Sequence, residues 1–213
     1  MDPSHTKRPK LKSRFDRALR YASDVHRTQI REGSNVPYVA HLLGVAALVL
    51  EEGGDEDQAI AALLHDAVED QGGRRRLADI RRHFGKRVAR IVEACSDSDT
   101  IPKPPWRERK ERYLARIRHE PDDVRRVSLA DKLYNARSIL TDYHRVREKI
   151  WKRFTGRKAG TLWYYRELVK AFREVGPHLM AEELGRVVTQ LERLASRRPA
   201  KRQSSPRRRR SAG

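Results

Sequence analysis

The stretch Ala59-Ile-Ala-Ala-Leu-Leu-His65-Asp66-Ala-Val-Glu69-Asp70 decides the fold of this 213-residue chain. Its first half is apolar and favours a helix, and its second half carries four ionisable side chains. His65 and Glu69 are four residues apart, as are Asp66 and Asp70, so a continuous helix from about 57 to 70 places all four on one strip. The alanines and leucines before them predict that this strip faces a core or a cleft.

This strip predicts a bound cation. Three carboxylates packed beside one imidazole repel each other and lose hydration, unless a cation or hydrogen-bond donors compensate. A His-Asp pair alone is common, and a lone histidine on an apolar face is more often a satisfied core residue. Two further side chains on apolar helices, His41 and Asp131, strengthen the metal interpretation. A ligand set of two imidazoles and two carboxylates suits Mn, Fe or Zn better than Ca or Mg, which prefer oxygen ligands.

The rest of the chain predicts more helices. Apolar spacing indicates a helix from Phe15 to about Ile30, ended by Gly33 and Asn35. Further helices are predicted at about 39–50, 77–84, 88–95, 106–117, 122–140, 161–175 and 178–194. Prolines make 96–105 a loop, and the charged region 141–160 has no clear assignment. No segment alternates like a strand, so the predicted class is all-α.

Composition limits the remaining possibilities. The formal net charge is +19, and eight cations lie in residues 197–213, which leaves +11 for the rest. A basic body suits a polyphosphate or nucleotide, although a solubilising surface is the simpler explanation. The single cysteine, Cys95, fits a reducing compartment, and no apolar run is long enough to span a membrane. We therefore expect a cytoplasmic protein with one domain at 13–196 between disordered basic segments at 1–12 and 197–213.

Four segments, in this order, carry a resemblance to a known family. They are VPYVAHLLGVA (36–46), AALLHDAVED (61–70), HFG (83–85) and SLADKLYNARS (128–138). The order and spacing are similar to those of the HD-domain hydrolases, and more narrowly to the hydrolase half of the RelA/SpoT alarmone enzymes and their stand-alone small relatives. The resemblance covers roughly 15–172. It implies an all-helical HD bundle with one Mn²⁺.

The resemblance also implies roles for individual residues. His41, His65, Asp66 and Asp131 would be the metal ligands, and Glu69 with Asp70 would be the acid pair that activates water. Asn135 would contact the nucleotide, and two arginines would bind its base or phosphates, namely Arg31 and Arg157.

The implied reaction is removal of the 3′-pyrophosphate from guanosine tetra- or pentaphosphate by a metal-activated water. Related stand-alone members are also linked to removal of the 2′-phosphate of NADPH, so another nucleotide is an alternative substrate. Glu32 stands where many relatives have lysine, and Gln71 where they often have threonine. These differences spare the predicted metal site and bear on the preference for base and phosphate. Because these 213 residues leave no room for the synthetase half, we expect no synthesis of the alarmone.

A binding module without turnover is the rival hypothesis. In that case the HD scaffold would hold a nucleotide, and the tail arginines, Arg207 to Arg210, would hold nucleic acid through nonspecific phosphate contacts. The tail has no interleaved aromatic residues, so it would read no bases. The intact acid pair argues against this hypothesis, because a pure binder does not need to activate water. The sequence leaves the oligomeric state open.

Overall fold

The computed structural model describes residues 11–96, 104–176 and 179–196. Over these ranges the chain is helical and contains no strand, only an isolated bridge between Ile30 and Pro37. The predicted all-α class is therefore confirmed. The helices are α1 (Ser13–Val25), α2 (Val39–Glu51), α3 (Glu56–Leu64), α4 (Ala67–Asp70), α5 (Gly73–Phe84), α6 (Lys86–Cys95), α7 (Trp106–Ile117), α8 (Asp122–Val146), a 3₁₀-helix (Arg147–Arg153), α9 (Arg157–Glu174) and α10 (Leu179–Ser196).

The centre of the molecule is formed by α2, α3 and α8. Every residue of α3 from Gln58 to Leu64 is buried, and α2 buries side chains on most of its circumference. The long helix α8 packs against α2, α3, α6 and α10. Helices such as α2 and α3, which are apolar on nearly every side, require a central position because they have no polar face to present to solvent.

A capping box fixes the start of α3. The side chain of Asp55 accepts a hydrogen bond from the backbone N–H of Gln58 at 3.0 Å, and the Gln58 side chain accepts one from the backbone N–H of Asp55 at 2.8 Å. Two N–H groups without a helical partner are thereby satisfied. This start sets the register that brings His65 to the end of α3.

The organising helix is interrupted, which corrects the prediction of one continuous helix from 57 to 70. α3 ends at Leu64 and α4 begins at Ala67, so His65 and Asp66 form the junction. Nδ1 of His65 donates to the carbonyl oxygen of Ala62 at 2.8 Å. In a continuous helix that carbonyl accepts from the N–H four residues later, so the imidazole competes with the helical hydrogen bond.

The first helix ends earlier than predicted. α1 stops at Val25, and residues 26–38 form a loop instead of continuing to Ile30. Within this loop the N–H of Arg31 donates to the carbonyl of Val36 at 2.9 Å, and the N–H of Tyr38 donates to that of Gln29 at 2.9 Å. These two hydrogen bonds fold the segment back on itself. We call residues 29–38 the Gln29–Tyr38 loop.

The region 141–160, which the sequence left unassigned, divides at Arg147. α8 continues to Val146, where Arg147 takes a positive φ of 53° and starts the 3₁₀-helix. The prediction at 178–194 corresponds to α10, although His178 itself, most of the predicted loop at 96–105, residues 1–10 and the tail lie outside the described residues. None of the described helices is both long and apolar enough to cross a bilayer.

Candidate metal centre

Four side chains meet at the junction of α3 and α4. His41 comes from the start of α2, His65 and Asp66 from the α3–α4 junction, and Asp131 from the middle of α8. The two Nε2 atoms of His41 and His65 lie 3.3 Å apart. Asp66 Oδ2 is 3.4 Å from His41 Nε2 and 2.9 Å from His65 Nε2, and Asp131 Oδ1 is 3.3 and 3.5 Å from the same two nitrogens.

The orientation of His65 suits metal binding. Its hydrogen bond to the Ala62 carbonyl requires a proton on Nδ1, so in the neutral ring the lone pair lies on Nε2 and faces the other three predicted ligands. A histidine that donates its second nitrogen to a backbone carbonyl is the usual arrangement in metal sites. The hydrogen bond to Ala62 that accompanies the interruption of the helix therefore also orients the imidazole of His65.

Both carboxylates are held by neighbouring side chains. The hydroxyl of Tyr38 donates to Asp66 Oδ2 at 2.6 Å. Lys132 Nζ lies 2.6 Å from Asp131 Oδ2, and Asn135 Nδ2 donates to Asp131 Oδ1 at 2.5 Å. Burial and the charge of Asp66 raise the pKa of Tyr38, so its hydroxyl keeps the proton that it donates.

The charges of the cluster fit a divalent cation. Burial alone would raise the pKa of Asp66 and Asp131, but the facing imidazoles and, for Asp131, the charge of Lys132 hold both pKa values well below the usual range. Burial alone would lower the pKa of His65, but the carboxylates of Asp66 and Asp131 raise it well above its usual value. As metal ligands, two carboxylates and two imidazoles would carry a charge of about −2, which a divalent cation would neutralise.

The predicted acid pair, Glu69 and Asp70, lies about one turn beyond the predicted ligands His65 and Asp66. Asp70 faces the cavity described below, and Gln29 Nε2 donates to its Oδ2 at 2.8 Å. Burial and the charge of Asp66 raise the pKa of Asp70, whereas the hydrogen bond from Gln29 lowers it. Glu69 is half-buried on α4 and is not among the cavity-lining residues.

A cavity of about 830 Å³ opens beside His41. This volume lies within the range of about 300–1,000 Å³ that is usual for small-molecule sites. Its lining combines cations and aromatic rings with His41, one of the four predicted ligands. The cations are Arg31, Lys110, Lys132, Arg137, Arg145 and Arg153. Such a wall matches a ligand with several phosphates and a planar base.

Arg31 and Asn135 lie together in this cavity. Arg31 Nη2 donates to Asn135 Oδ1 at 2.9 Å, and Asn135 in turn holds Asp131. The guanidinium of Arg31 also lies 5.9 Å from the ring centre of Tyr38 and 5.8 Å from that of Tyr134. Two of the three predicted substrate-binding residues are therefore brought next to the predicted metal ligands.

Arg157, the third, is not brought there. It is exposed at the start of α9, has a positive φ of 50°, and donates to the carbonyl of Lys152 at 3.0 Å. Arg153 lines the cavity instead and is bound to Asp142 Oδ2 at 2.8 Å. The 3₁₀-helix places Arg153 on the cavity wall, and no sequence pattern predicted this helix.

Several residues of the site were missed in the sequence. Gln29, Tyr38 and Lys132 each bond directly to a predicted site residue. Tyr38 and Lys132 lie in the two sequence segments that contain the predicted ligands His41 and Asp131. Their closeness in sequence to a predicted ligand was therefore the one feature that could have indicated them. Gln29 reaches Asp70 across 41 positions, and no local pattern marks it.

The fold and the site define a protein class. The family model described as HD domain matches residues 18–161, and the chain belongs to this family. It is similar to the protein of Xenopus tropicalis named guanosine-3′,5′-bis(diphosphate) 3′-pyrophosphohydrolase MESH1, with 41% identity over 125 residues, which cover 57% of this chain and 67% of that protein. The Homo sapiens MESH1 is 39% identical over the same shares.

Solved structures agree with this classification. A structure from work on a metazoan ortholog of SpoT that hydrolyses ppGpp matches with a TM-score of 0.70 and 25% identity, over 85% of this chain and 97% of that one. A crystal structure of a Listeria monocytogenes EGD-e protein matches with a TM-score of 0.65 and 28% identity, over 72% of this chain and 99% of that one. The predicted HD bundle is confirmed.

Proposed function

We propose that this chain hydrolyses guanosine-3′,5′-bis(diphosphate), releasing pyrophosphate from its 3′ position. The observation that carries the proposal is the convergence of His41, His65, Asp66 and Asp131 beside a cation-lined cavity. The similarity to the MESH1 proteins, whose names state this activity, supports the choice of substrate. The same reasoning makes the chain an enzyme of the HD family rather than a binding module.

The four converging side chains would hold a divalent cation, and Mn²⁺ suits their mixed nitrogen and oxygen donors. When bound, such a cation lowers the pKa of a water molecule and polarises a phosphoryl oxygen. His65 is oriented for this by the Ala62 carbonyl, and Asp131 by Lys132 and Asn135.

Glu69 and Asp70, the predicted acid pair, would transfer protons during the reaction. Asp70 borders the cavity with a carboxylate oriented by Gln29, so it is placed to take a proton from the attacking water. Glu69, on the same short helix, would assist in orienting that water. Water adds to the phosphorus of the 3′ ester as the bond to the 3′ oxygen breaks, and the proton passes to that oxygen to give a 3′ hydroxyl.

The basic wall would bind the phosphates. Arg31 bonds to Asn135 and Lys132 to Asp131, and each would supply donors for phosphoryl oxygens on which charge develops. Asn135 would contact the nucleotide from α8. Arg157 would contact a phosphate only from outside this wall, because it is exposed at the start of α9 and is not among the cavity-lining residues.

The test is pyrophosphate release by the purified protein with Mn²⁺. We expect release from guanosine-3′,5′-bis(diphosphate), and its loss in Asp66→Ala together with loss of bound metal. Asp24→Ala is the matched control, since Asp24 is exposed and, within the described residues, forms its ion pair with neighbouring Arg27. Absence of release by a metal-loaded wild-type protein would contradict the proposal. Orthophosphate release from NADPH, without pyrophosphate release from the alarmone, would identify the alternative substrate.

A further inference from the structure

The solvent face of α5 carries a cluster of arginines that the proposed hydrolysis does not use. Arg74, Arg75, Arg81 and Arg82 are all exposed. At about 100° per residue these four side chains fall within an arc of about 120°, with exposed Ala78 at its centre. We call this set the α5 arginine face.

Little negative charge lies on this face. No acidic residue of α5 falls within the arc, and Asp79 stands at its edge. Asp79 is engaged by Tyr21, whose hydroxyl donates to Oδ2 at 2.5 Å, and by Arg82 at 2.6 Å. Arg75 and Arg81 have no ion-pair partner in the described part of the chain, so the face remains strongly positive.

This arrangement works against the stability of α5. The first turn of a helix favours acidic side chains, because unpaired N–H groups give that end a partial positive charge. α5 has no acidic residue in its first turn and has Arg74 and Arg75 there instead. Like charges crowded on one face add to the cost. A bound polyanion would offset both effects, and a local conflict of this kind is typical of a functional surface.

The face includes a concave spot. A depression of about 470 Å³ is lined by Gly72, Arg75, Arg76 and Arg82, with Asp79 also on its wall. Arg76 is held in place there, donating to the Tyr21 hydroxyl at 2.8 Å and to the Gln71 carbonyl at 3.1 Å. Guanidinium groups around a shallow depression suit a phosphate group.

We propose that the α5 arginine face binds the phosphate backbone of double-stranded nucleic acid. Arg74 and Arg81, like Arg75 and Arg82, are seven residues apart, so each pair spans about 10.5 Å along the helix, about three phosphate steps of one strand. The face has no aromatic side chain, so this binding is independent of base sequence. An anionic membrane fits less well, because the only apolar side chain in the arc is Ala78 and membrane-surface helices require large ones.

The test uses the full-length protein and a fluorescent 20-base-pair RNA duplex. Replacing Arg75 and Arg81 by glutamine should weaken binding at least about ten-fold at moderate salt. It should also reduce the slope of log K against log salt by about two, since two phosphate contacts are lost. The matched control replaces Lys170 and Arg173 by glutamine, which removes the same charge from two ion-paired residues of α9. We expect that control to change binding and slope little.

Three results would overturn the proposal. Equal weakening by both variants would mean that only net charge matters. Unchanged binding in the α5 variant, with loss only when the tail arginines 207–210 are replaced by serine, would assign the contact to the tail. Preference of the α5 face for phosphatidylserine vesicles over the duplex would identify a membrane surface. Pyrophosphate release should be unchanged in the α5 variant, so this proposal and the hydrolase proposal fail separately.

Discussion

Gln29 Nε2 donates a hydrogen bond of 2.8 Å to Asp70 Oδ2, joining the loop after α1 to the helix that carries the predicted acid pair. The Oε1 atom of Gln29 accepts from Gln71 Nε2 at 2.8 Å and from His26 Nδ1 at 2.6 Å. Two donors on the carbonyl oxygen fix which way the amide points. Asp70 is therefore oriented by a residue from a different part of the sequence.

Gln29→Leu should lower kcat about ten-fold with little change in KM. A carboxylate that moves protons contributes about 10²–10⁴-fold to a rate, and loss of its orienting partner removes part of that. The measurement is steady-state pyrophosphate release. Gln190→Leu, at an exposed glutamine of α10, is the control and should behave as wild type. An unchanged kcat in Gln29→Leu would show that Asp70 does not depend on this bond.

The acid limb of the pH profile should report Asp70. Burial and the charge of Asp66 raise its pKa above 3.8, so kcat should fall as pH drops through that raised value, where the base becomes protonated. The bond from Gln29 lowers the same pKa, and Gln29→Leu should therefore move the acid limb to higher pH. The test is kcat against pH with saturating metal. An acid limb that persists unaltered in Asp70→Asn would assign it to another group.

Lys132→Met should weaken metal binding by about 10–100-fold, the usual effect of removing a partner that orients a metal ligand. Lys132 Nζ lies 2.6 Å from Asp131 Oδ2, and methionine keeps most of the volume without the charge. Calorimetric titration of the metal-free protein with Mn²⁺ measures this effect. Lys170→Met, at an exposed lysine of α9, should leave the affinity unchanged. Equal affinities for Lys132→Met and wild type would exclude this role.

Asp55→Ala should lower the free energy of unfolding by about 1 kcal/mol, because the capping box of α3 is lost. Burial would raise the pKa of Asp55, but hydrogen bonds from Arg87 and the Gln58 N–H lower it below 3.8. Because the pKa of Asp55 is lower in the folded than in the unfolded state, its charged carboxylate stabilises the fold at pH values above the unfolded-state pKa. This contribution is lost as the pH falls through the folded-state pKa. The difference between wild type and variant, measured by urea unfolding, should therefore vanish in acid.

Asp24→Ala serves as the control for this variant as well. Its ion pair with Arg27 is exposed, and exposed pairs contribute little to stability. A loss as large as that of Asp55→Ala would mean that the capping box is not the source of the effect.

Periodicity was sufficient for most of the helices. The predicted helix at 106–117 has the bounds of α7, and the apolar stretch at 39–50 corresponds to α2 within one residue. These segments follow the rule that an apolar stripe is buried. The family resemblance predicted that four side chains lie close together, and the structure places them so: His41, His65, Asp66 and Asp131. Their role as metal ligands stays a prediction.

The failures have a common physical origin. The interruption at His65 results from a side-chain hydrogen bond to Ala62, which helix periodicity does not represent. The early end of α1 depends on backbone hydrogen bonds within the Gln29–Tyr38 loop, and the inward position of Arg153 depends on a 3₁₀-helix. In each case one specific contact overrode the local preference of the chain, and a single sequence gives no direct sign of such contacts.

The Gln29–Tyr38 loop has a consequence for how the enzyme can fail. Its first residue holds Asp70, Arg31 holds Asn135, and its last residue, Tyr38, holds Asp66. One excursion of a ten-residue segment away from the body would release all three partners at once. A molecule in which this segment is detached would be inactive rather than partly active. The activity of a sample should therefore be proportional to the fraction of molecules in which the segment is docked.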